Sequence, residues 1–441
     1  MHRPVPEPVR SPIFGAVIAP IRAFFALEAA SGLVLFGAAA AALLWVNLGG
    51  AASYEAFRSL PLTVGLGPWT ASFTLRQAID DGLMTLFFLL VGMEIKRELV
   101  LGELRNPAQA ALPAVAALGG MLVPAALYAA FNHGGPGRPG WGIPMATDIA
   151  FCIGVLTLLR ARVPHALTVF LTALAIFDDI GGIIVIAVFY GSGVHACWLL
   201  AGAGVAVLLA VAGRTQVGHP LVYAGLLAAL WYALHHGGVH PSIAGVVTGL
   251  AVPARTRRPP EETLEELATH AATLAEERSD EGRGGEALLA IEQKLEELES
   301  PLGRFVHALH PWVAFGIMPA FALASSGVDV GGLGAEALAS PVVLGTAVAL
   351  VLGKFLGISA FTLAAVRLRL AAMPGGASVP KLLGVAAIGG IGFTVALFIA
   401  GLAFPGAPRL LDEARLGILA GSLVAGLLGS ALLLSTSRTE A

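Results

Sequence analysis

Two aspartates, Asp178 and Asp179, stand side by side inside an apolar run that extends from Leu174 to Val188. A membrane-length segment tolerates ionisable groups poorly, at about 2.5–3.5 kcal/mol each. Adjacent carboxylates in one such run must therefore face a water-filled cavity, a partner charge or a cation. Carboxylate oxygens hold protons, and they also hold hard cations, so those two ligands define the chemistry open to the pair.

Few other charges occur at membrane depth. Asp148 and Lys354 lie on two further apolar runs. Asp80, Asp81, Glu94, Lys96, Arg97 and Glu98 lie on another run and at its end. Asp148 sits in Ile143-Pro-Met-Ala-Thr-Asp-Ile-Ala-Phe, where an early proline and Thr147 predict an interrupted helix. Ile388-Gly-Gly-Ile-Gly-Phe-Thr394 predicts a second interruption, since Gly389, Gly390 and Gly392 each weaken a helix by roughly 1 kcal/mol relative to alanine. Unwound backbone at that depth is stable only where it lines a cavity or is buried in protein. Two crossed, broken helices would bring like helix ends together. An acid relieves paired amide ends and a cation relieves paired carbonyl ends. Asp148 and Lys354 suit those two tasks, and direct ion binding by Asp148 is equally open.

These residues need a scaffold, and composition says which kind. The chain has 441 residues, 56% hydrophobic and only 12% charged; ordinary soluble domains carry roughly 25% charged residues. An all-α membrane protein follows, read as one domain over 1–441. Apolar stretches of about 20 residues predict twelve transmembrane helices. Their centres lie near Phe36, Leu89, Leu118, Ile153, Ile180, Val205, Ala228, Val246, Ile317, Leu350, Phe393 and Val424, and the eighth, about Ser242–Val252, is the shortest. With both termini cytoplasmic, 20 of the 26 Lys and Arg fall on the inner side and 5 on the outer, with Lys354 left in the membrane. That asymmetry is the one expected of cytoplasmic loops. The run after Arg3, Arg10 and Arg22 reads as a first span, not a cleaved leader. Cys152 and Cys197 imply no disulfide framework.

Residues 255–303 break this pattern, holding 13 of the 29 acids. They read as a charged cytoplasmic loop insertion, with solvated helices around Glu261 and Ile291 joined by a flexible Gly-rich segment. The first outer loop, Leu60–Leu75, alternates around Gly65, Gly67 and Pro68 and predicts a β-hairpin. Its open edge suits pairing with a second copy, making a homodimer through 60–75, or a plain monomeric loop.

Several stretches resemble a known family. Pro144-Met-Ala-Thr-Asp-Ile-Ala-Phe, Ala173-Leu-Ala-Ile-Phe-Asp-Asp-Ile-Gly, Phe87-Phe-Leu-Leu-Val-Gly-Met-Glu-Ile-Lys-Arg-Glu-Leu, His310-Pro-Trp, Gly353-Lys-Phe-Leu-Gly-Ile and Gly390-Ile-Gly-Phe-Thr, in this order, are similar to the NhaA-type bacterial Na+/H+ antiporters. The resemblance spans nearly all of the chain outside 255–303 and the extreme N-terminus. It implies inverted-topology repeats over spans 3–5 and 10–12, with spans 4 and 11 broken and crossed; that family is itself an example on which the inverted-repeat rule rests. It implies that Asp179 is the principal Na+ or Li+ ligand and proton carrier, and that Asp178 is a second essential acid close to Lys354. Thr147 and Asp148 would contribute to the site and compensate helix ends. Asp81, Glu94, Arg97 and Glu98 would form a charged cytoplasmic funnel active in pH response. A homodimer in the inner membrane, no cofactor beyond the transported ions and no nucleic-acid partner are also implied. One departure stands out: the acid expected before His307 is Val306.

A mechanism follows from the residues themselves. Helix neighbours point about 100° apart, so one aspartate can face an ion while the other faces Lys354. Oxygens of the pair, Thr147 and backbone carbonyls would bind Na+ at the expense of protons. Competition with alternating access suffices for antiport. The resemblance further implies two protons per Na+, which would make the cycle electrogenic, the second riding on Asp178 or Lys354. A sodium-coupled symporter needs a further polar pocket that is not evident. An intramembrane aspartyl protease, the enzyme alternative, needs its acids on different helices facing one another. His235, His236 and His240 read as loop histidines before they read as a metal site, and His310 as a packing or interface residue.

Overall fold

Proline opens many of the helices, because its missing amide hydrogen is not needed in a first turn and its φ is already helical. Pro107, Pro220, Pro301, Pro341 and Pro408 all start helices in this way. The structure, a computed structural model, describes residues 28–66, 69–191, 193–256 and 299–436. The helices are α1 (Glu28–Trp45), α2 (Ala51–Arg58), α3 (Met84–Val100), α4 (Pro107–Phe131), α5 (Ile149–Leu158), α6 (His165–Phe189), α7 (Ala196–Arg214) and α8 (Pro220–Gly237). They continue as α9 (Ile243–Ala251), α10 (Pro301–Trp312), α11 (Met318–Ser325), α12 (Pro341–Val348), α13 (Lys354–Arg367), α14 (Val379–Ile388), α15 (Phe393–Ala403) and α16 (Pro408–Leu434). Short π-helical turns join α12 to α13 and α10 to α11, and one precedes α3.

Among the described residues, eight helical segments are long and apolar enough to cross a membrane, or nine if the bent pair α14 and α15 counts as one. Three helices at the remaining expected positions are not among them. The second, α3, ends in Glu94, Lys96, Arg97 and Glu98; α8 ends in His235 and His236; α9 has only 9 residues. The expected solvated helices of the charged insertion lie outside the described residues.

The predicted hairpin is present. Strands β1 (Pro61–Leu66) and β2 (Trp69–Thr74) pair antiparallel, from Pro61 opposite Thr74 to Leu66 opposite Trp69. A capping box then turns the chain into the next helix: the Thr74 hydroxyl accepts from the Gln77 amide, and the Gln77 side chain accepts from the Thr74 amide.

Small residues set the approach of the helices that carry the site. A Cβ on Gly353 would lie 2.7 Å from Cα of Pro124, and one on Gly357 would overlap the carbonyl oxygen of Gly119. Glycine there lets α13 lie directly on α4, which fixes the depth at which Lys354 enters the core. Asp178, Asp148 and Lys354 are all buried to 1% exposure or less.

Candidate functional site

The site forms where two chain breaks touch. Residues Arg138–Met145 make a 3-10 helix rather than an α-helix, in a stretch holding Pro139, Pro144, Gly140 and Gly142. The chain then runs extended through Ala146 (ψ 149°) to Asp148 (φ −88°, ψ 103°) before α5 begins. The second break lies between Ile388 and Phe393, where α14 and α15 meet at a 44° bend. The two breaks bond directly, the Asp148 amide donating to the Ile391 carbonyl at 2.7 Å. Two amide ends (α5 and α15) and two carbonyl ends (the 3-10 helix and α14) are thereby gathered in low dielectric.

Asp148 serves both amide ends. Its Oδ1 accepts from the Phe151 amide at 3.1 Å, in the first turn of α5. Its Oδ2 accepts from the Thr394 amide at 3.1 Å and from the Thr394 hydroxyl at 2.5 Å, in the first turn of α15. Every side-chain hydrogen bond of Asp148 thus goes to a helix start, which accounts for an acid at this depth on structural grounds alone.

Lys354 serves the carbonyl ends. Its Nζ donates to the Met145 carbonyl at 2.5 Å, to Thr147 Oγ1 at 2.9 Å and to Asp178 Oδ2 at 2.5 Å. All three donors of the ammonium group therefore have acceptors. Thr147 Oγ1 lies 2.7 Å from Asp178 Oδ2 and 2.9 Å from the Gly389 carbonyl. With Lys354 donating to it, the hydroxyl has one proton for those two acceptors. The Cys152 thiol donates to the neighbouring carbonyl of Ile388 at 3.3 Å.

The adjacent aspartates consequently differ. Asp178 is fully buried and tied to Lys354 and Thr147. Asp179 lines a cavity of about 920 Å³, together with Thr147, Asp148, Thr172 and Thr394. Among the described residues Oδ1 of Asp179, like Oδ1 of Asp178, is buried without a hydrogen-bond partner. The helical turn that separates successive side chains puts one on the lysine and the other on the open space.

The same cavity reaches Glu94, Arg97, Glu98 and His310. The structure does not bring Asp81 there. Asp81 lies in the π-helical turn Ala78–Leu83 at the other end of the same span, with Oδ1 3.7 Å from Nε2 of His240. Thirteen residues of helix separate it from Glu94, about 20 Å. His310, read as a packing or interface residue, lines the cavity. His235 stacks on Trp231, and His236 packs against Tyr232 and Trp198. Among the described residues no group of three or more His, Cys, Asp or Glu has the arrangement of a metal cluster. Of the adjacent pair expected to hold Na+, Asp178 is held by Lys354 through Oδ2 and Asp179 lines the cavity.

The broken-helix glycines act by size, not by unusual backbone angles. Gly389 has φ −58° and Gly392 φ −94°, values open to any residue. A Cβ on Gly392 would lie 2.9 Å from Cδ2 of Leu350 and 3.1 Å from the Ala146 carbonyl. Sequence reasoning passed over Thr394, Cys152 and Ser422. Thr394 had a local signal, a hydroxyl at a helix start just after a glycine run; Ser422, on the uninterrupted α16, had none.

The sequence matches the family Na+/H+ antiporter 1 over residues 22–433. It is 58% identical to the Na+/H+ antiporter NhaA of Anaeromyxobacter sp. (strain Fw109-5) over 438 residues, covering 99% of this chain and 96% of the relative. It is 55% identical to the Na+/H+ antiporter NhaA 1 of Myxococcus xanthus over 428 residues, 97% and 95% of the two chains. It is 44% identical to the Na+/H+ antiporter NhaA of Oleidesulfovibrio alaskensis over 445 residues, 98% and 97%. With matches of this extent, and with the Asp pair, the lysine and the two touching breaks all in place, the chain belongs to the Na+/H+ antiporter 1 family.

Proposed function

We propose that this protein expels Na+ or Li+ in exchange for protons by alternating access, with Asp179 as the residue that trades one for the other. The observation that carries this reading is the contrast within the pair. Lys354 and Thr147 hold Oδ2 of Asp178, which is not among the cavity-lining residues, whereas Asp179 lines the cavity with no charged partner and with an Oδ1 that has no hydrogen-bond partner among the described residues. A buried, unpartnered carboxylate oxygen is costly unless a proton or a cation occupies it.

The exchange runs through the residues as follows. Asp179 enters the cycle protonated. An Na+ ion arriving past Glu98, Arg97 and Glu94 displaces that proton and takes the carboxylate oxygen as a ligand, with Thr147 and backbone carbonyls of the unwound segments as further oxygen donors. Ionic charge at Asp179 is felt by the Asp178–Lys354 pair in low dielectric. That pair carries the second proton, as one coupled unit and not on a single assigned atom. Two H+ against one Na+ moves one net charge, so a potential of 100 mV supplies about 2.3 kcal/mol towards sodium expulsion. Asp148 holds the helix starts together throughout.

The setting of this activity is the bacterial inner membrane, with twelve spans, both termini cytoplasmic and inverted repeats over spans 3–5 and 10–12. The excess of Lys and Arg on the inner side and the two interruptions in matching halves support that arrangement. The reading includes a homodimer joined through the hairpin at 60–75, supported by its two short, open-edged strands. It also includes a role in pH response for Glu94, Arg97 and Glu98 at the cavity.

The test is ion exchange in everted or sealed vesicles. Added Na+ should collapse an imposed pH gradient in vesicles holding the native chain and leave it intact in those holding Asp179→Asn. Sodium-dependent proton flux that survives the substitution would remove Asp179 from the proposed role.

A further inference from the structure

The start of α15 exposes more amide donors than Asp148 can satisfy. The first bond inside this helix runs from the Ala396 amide to the Gly392 carbonyl, so the amides of Gly392, Phe393, Thr394 and Val395 have no partner within the helix. Asp148 takes that of Thr394. The amides of Gly392 and Phe393 both lie 3.3 Å from Oγ of Ser422, a buried residue on α16. The residue at the helix start is Gly392, which has no side chain to supply a local cap. The cap therefore comes from two other spans: a carboxylate from the fourth and a hydroxyl from the last.

We propose that Ser422 is a positioning residue for ion exchange, capping the interrupted eleventh span in trans so that Asp148 and Thr394 hold their places beside Asp179. This rests on the antiport reading above. The physical link is electrostatic. Two amides left without an acceptor would add partial positive charge at the wall of a low-dielectric cavity lined by Asp179 and Thr394. Such charge opposes entry of Na+ and of H+ alike. It would also pull the Asp148 carboxylate towards Gly392 and Phe393, away from the Phe151 amide that Oδ1 now satisfies. A residue that only filled space on α16 would do neither.

The experiment measures Na+/H+ exchange across a pH series in proteoliposomes holding the native chain, Ser422→Ala and Ser422→Thr. Ser422→Ala should raise the KM for Na+ by about tenfold while kcat stays within about twofold. It should also move the pH of half-maximal exchange downwards, because the site's proton affinity falls with its sodium affinity. Ser422→Thr, which keeps the acceptor oxygen, should restore both. Ser422→Cys, similar in volume but a weak acceptor, should follow Ser422→Ala and replaces it if alanine packs poorly. An unchanged KM and pH profile in Ser422→Ala or Ser422→Cys would overturn the role of Ser422. Absence of exchange by the native chain would instead overturn the antiport reading.

Discussion

Asp178 and Lys354 meet at 2.5 Å, both side chains sealed from solvent, on two helices 176 residues apart in the chain. Removing one partner of a buried ion pair typically costs about 3–5 kcal/mol, since the other charge is left uncompensated. Lys354→Ala should therefore lower the thermal midpoint of the purified protein clearly. It should also change the charge moved per Na+, because the pair proposed to carry the second proton is gone. Exchange under an imposed membrane potential reads that charge directly. Unaltered charge per turnover would reduce the lysine to a prop for the carbonyl ends.

Asp179→Asn should behave in the opposite way. Oδ1 of Asp179 has no hydrogen-bond partner among the described residues, so the substitution removes no bond there. The expected result is a sodium-free melting temperature close to native, together with complete loss of Na+ binding by calorimetry and of exchange in vesicles.

At Asp148 the prediction is graded. Asp148→Ala deletes the acceptor for the Phe151 and Thr394 amides and the Thr394 hydroxyl. Each lost cap is worth about 0.5–2 kcal/mol, so a substantial fall in stability follows. Asp148→Asn keeps one acceptor oxygen for Thr394 and should retain exchange with weaker sodium affinity. Thermal midpoints and KM for Na+, taken side by side, separate the two variants.

Competition at a single carboxylate has a pH signature. Where Asp179 is protonated, each Na+ bound releases that proton, so the apparent KM for Na+ should fall about tenfold per pH unit as pH rises. Above the range in which the site titrates, KM should level off. A KM that does not vary with pH from acid to alkaline conditions would contradict competition.

Packing gives a fifth test, independent of ions. Gly357→Ala places a methyl group against the Gly119 backbone, where no flexible side chain can yield. Overpacking of this kind typically costs about 1–3 kcal/mol. Because α13 would shift on α4 and take Lys354 with it, exchange should fall along with the melting temperature.

The sequence carried much of this before any coordinates. Charges at membrane depth are so few that Asp148, Asp178, Asp179 and Lys354 stood out by cost alone, and a Pro segment and a Gly segment marked the two breaks. What it could not carry was direction. Nothing in adjacent aspartates says which turns to the lysine; the resemblance alone pointed to Asp178, and the direction is set by the packing of α6 and α13 on α4. Asp81 was grouped with Glu94 by the family resemblance, and the length of the span separates them. Ser422 was invisible because a lone serine in a long apolar helix normally bonds its own backbone, and its partner is set by tertiary packing.

The stitching of the two interruptions to each other has a mechanical corollary. Asp148 to Ile391, Thr147 to Gly389 and Thr394 to Asp148 lash both unwound stretches into one stiff insert, with Lys354 as its rivet. A tug on either strand is shared by the other, so the cradle resists being pulled open from one side. Compliance is left to the seam around it, where the walls from α3 and α10 face Asp179 across empty space. In the proposed exchange, cargo would pass from one face to the other by a shift of the insert against its surroundings, with the cradle's own bonds kept.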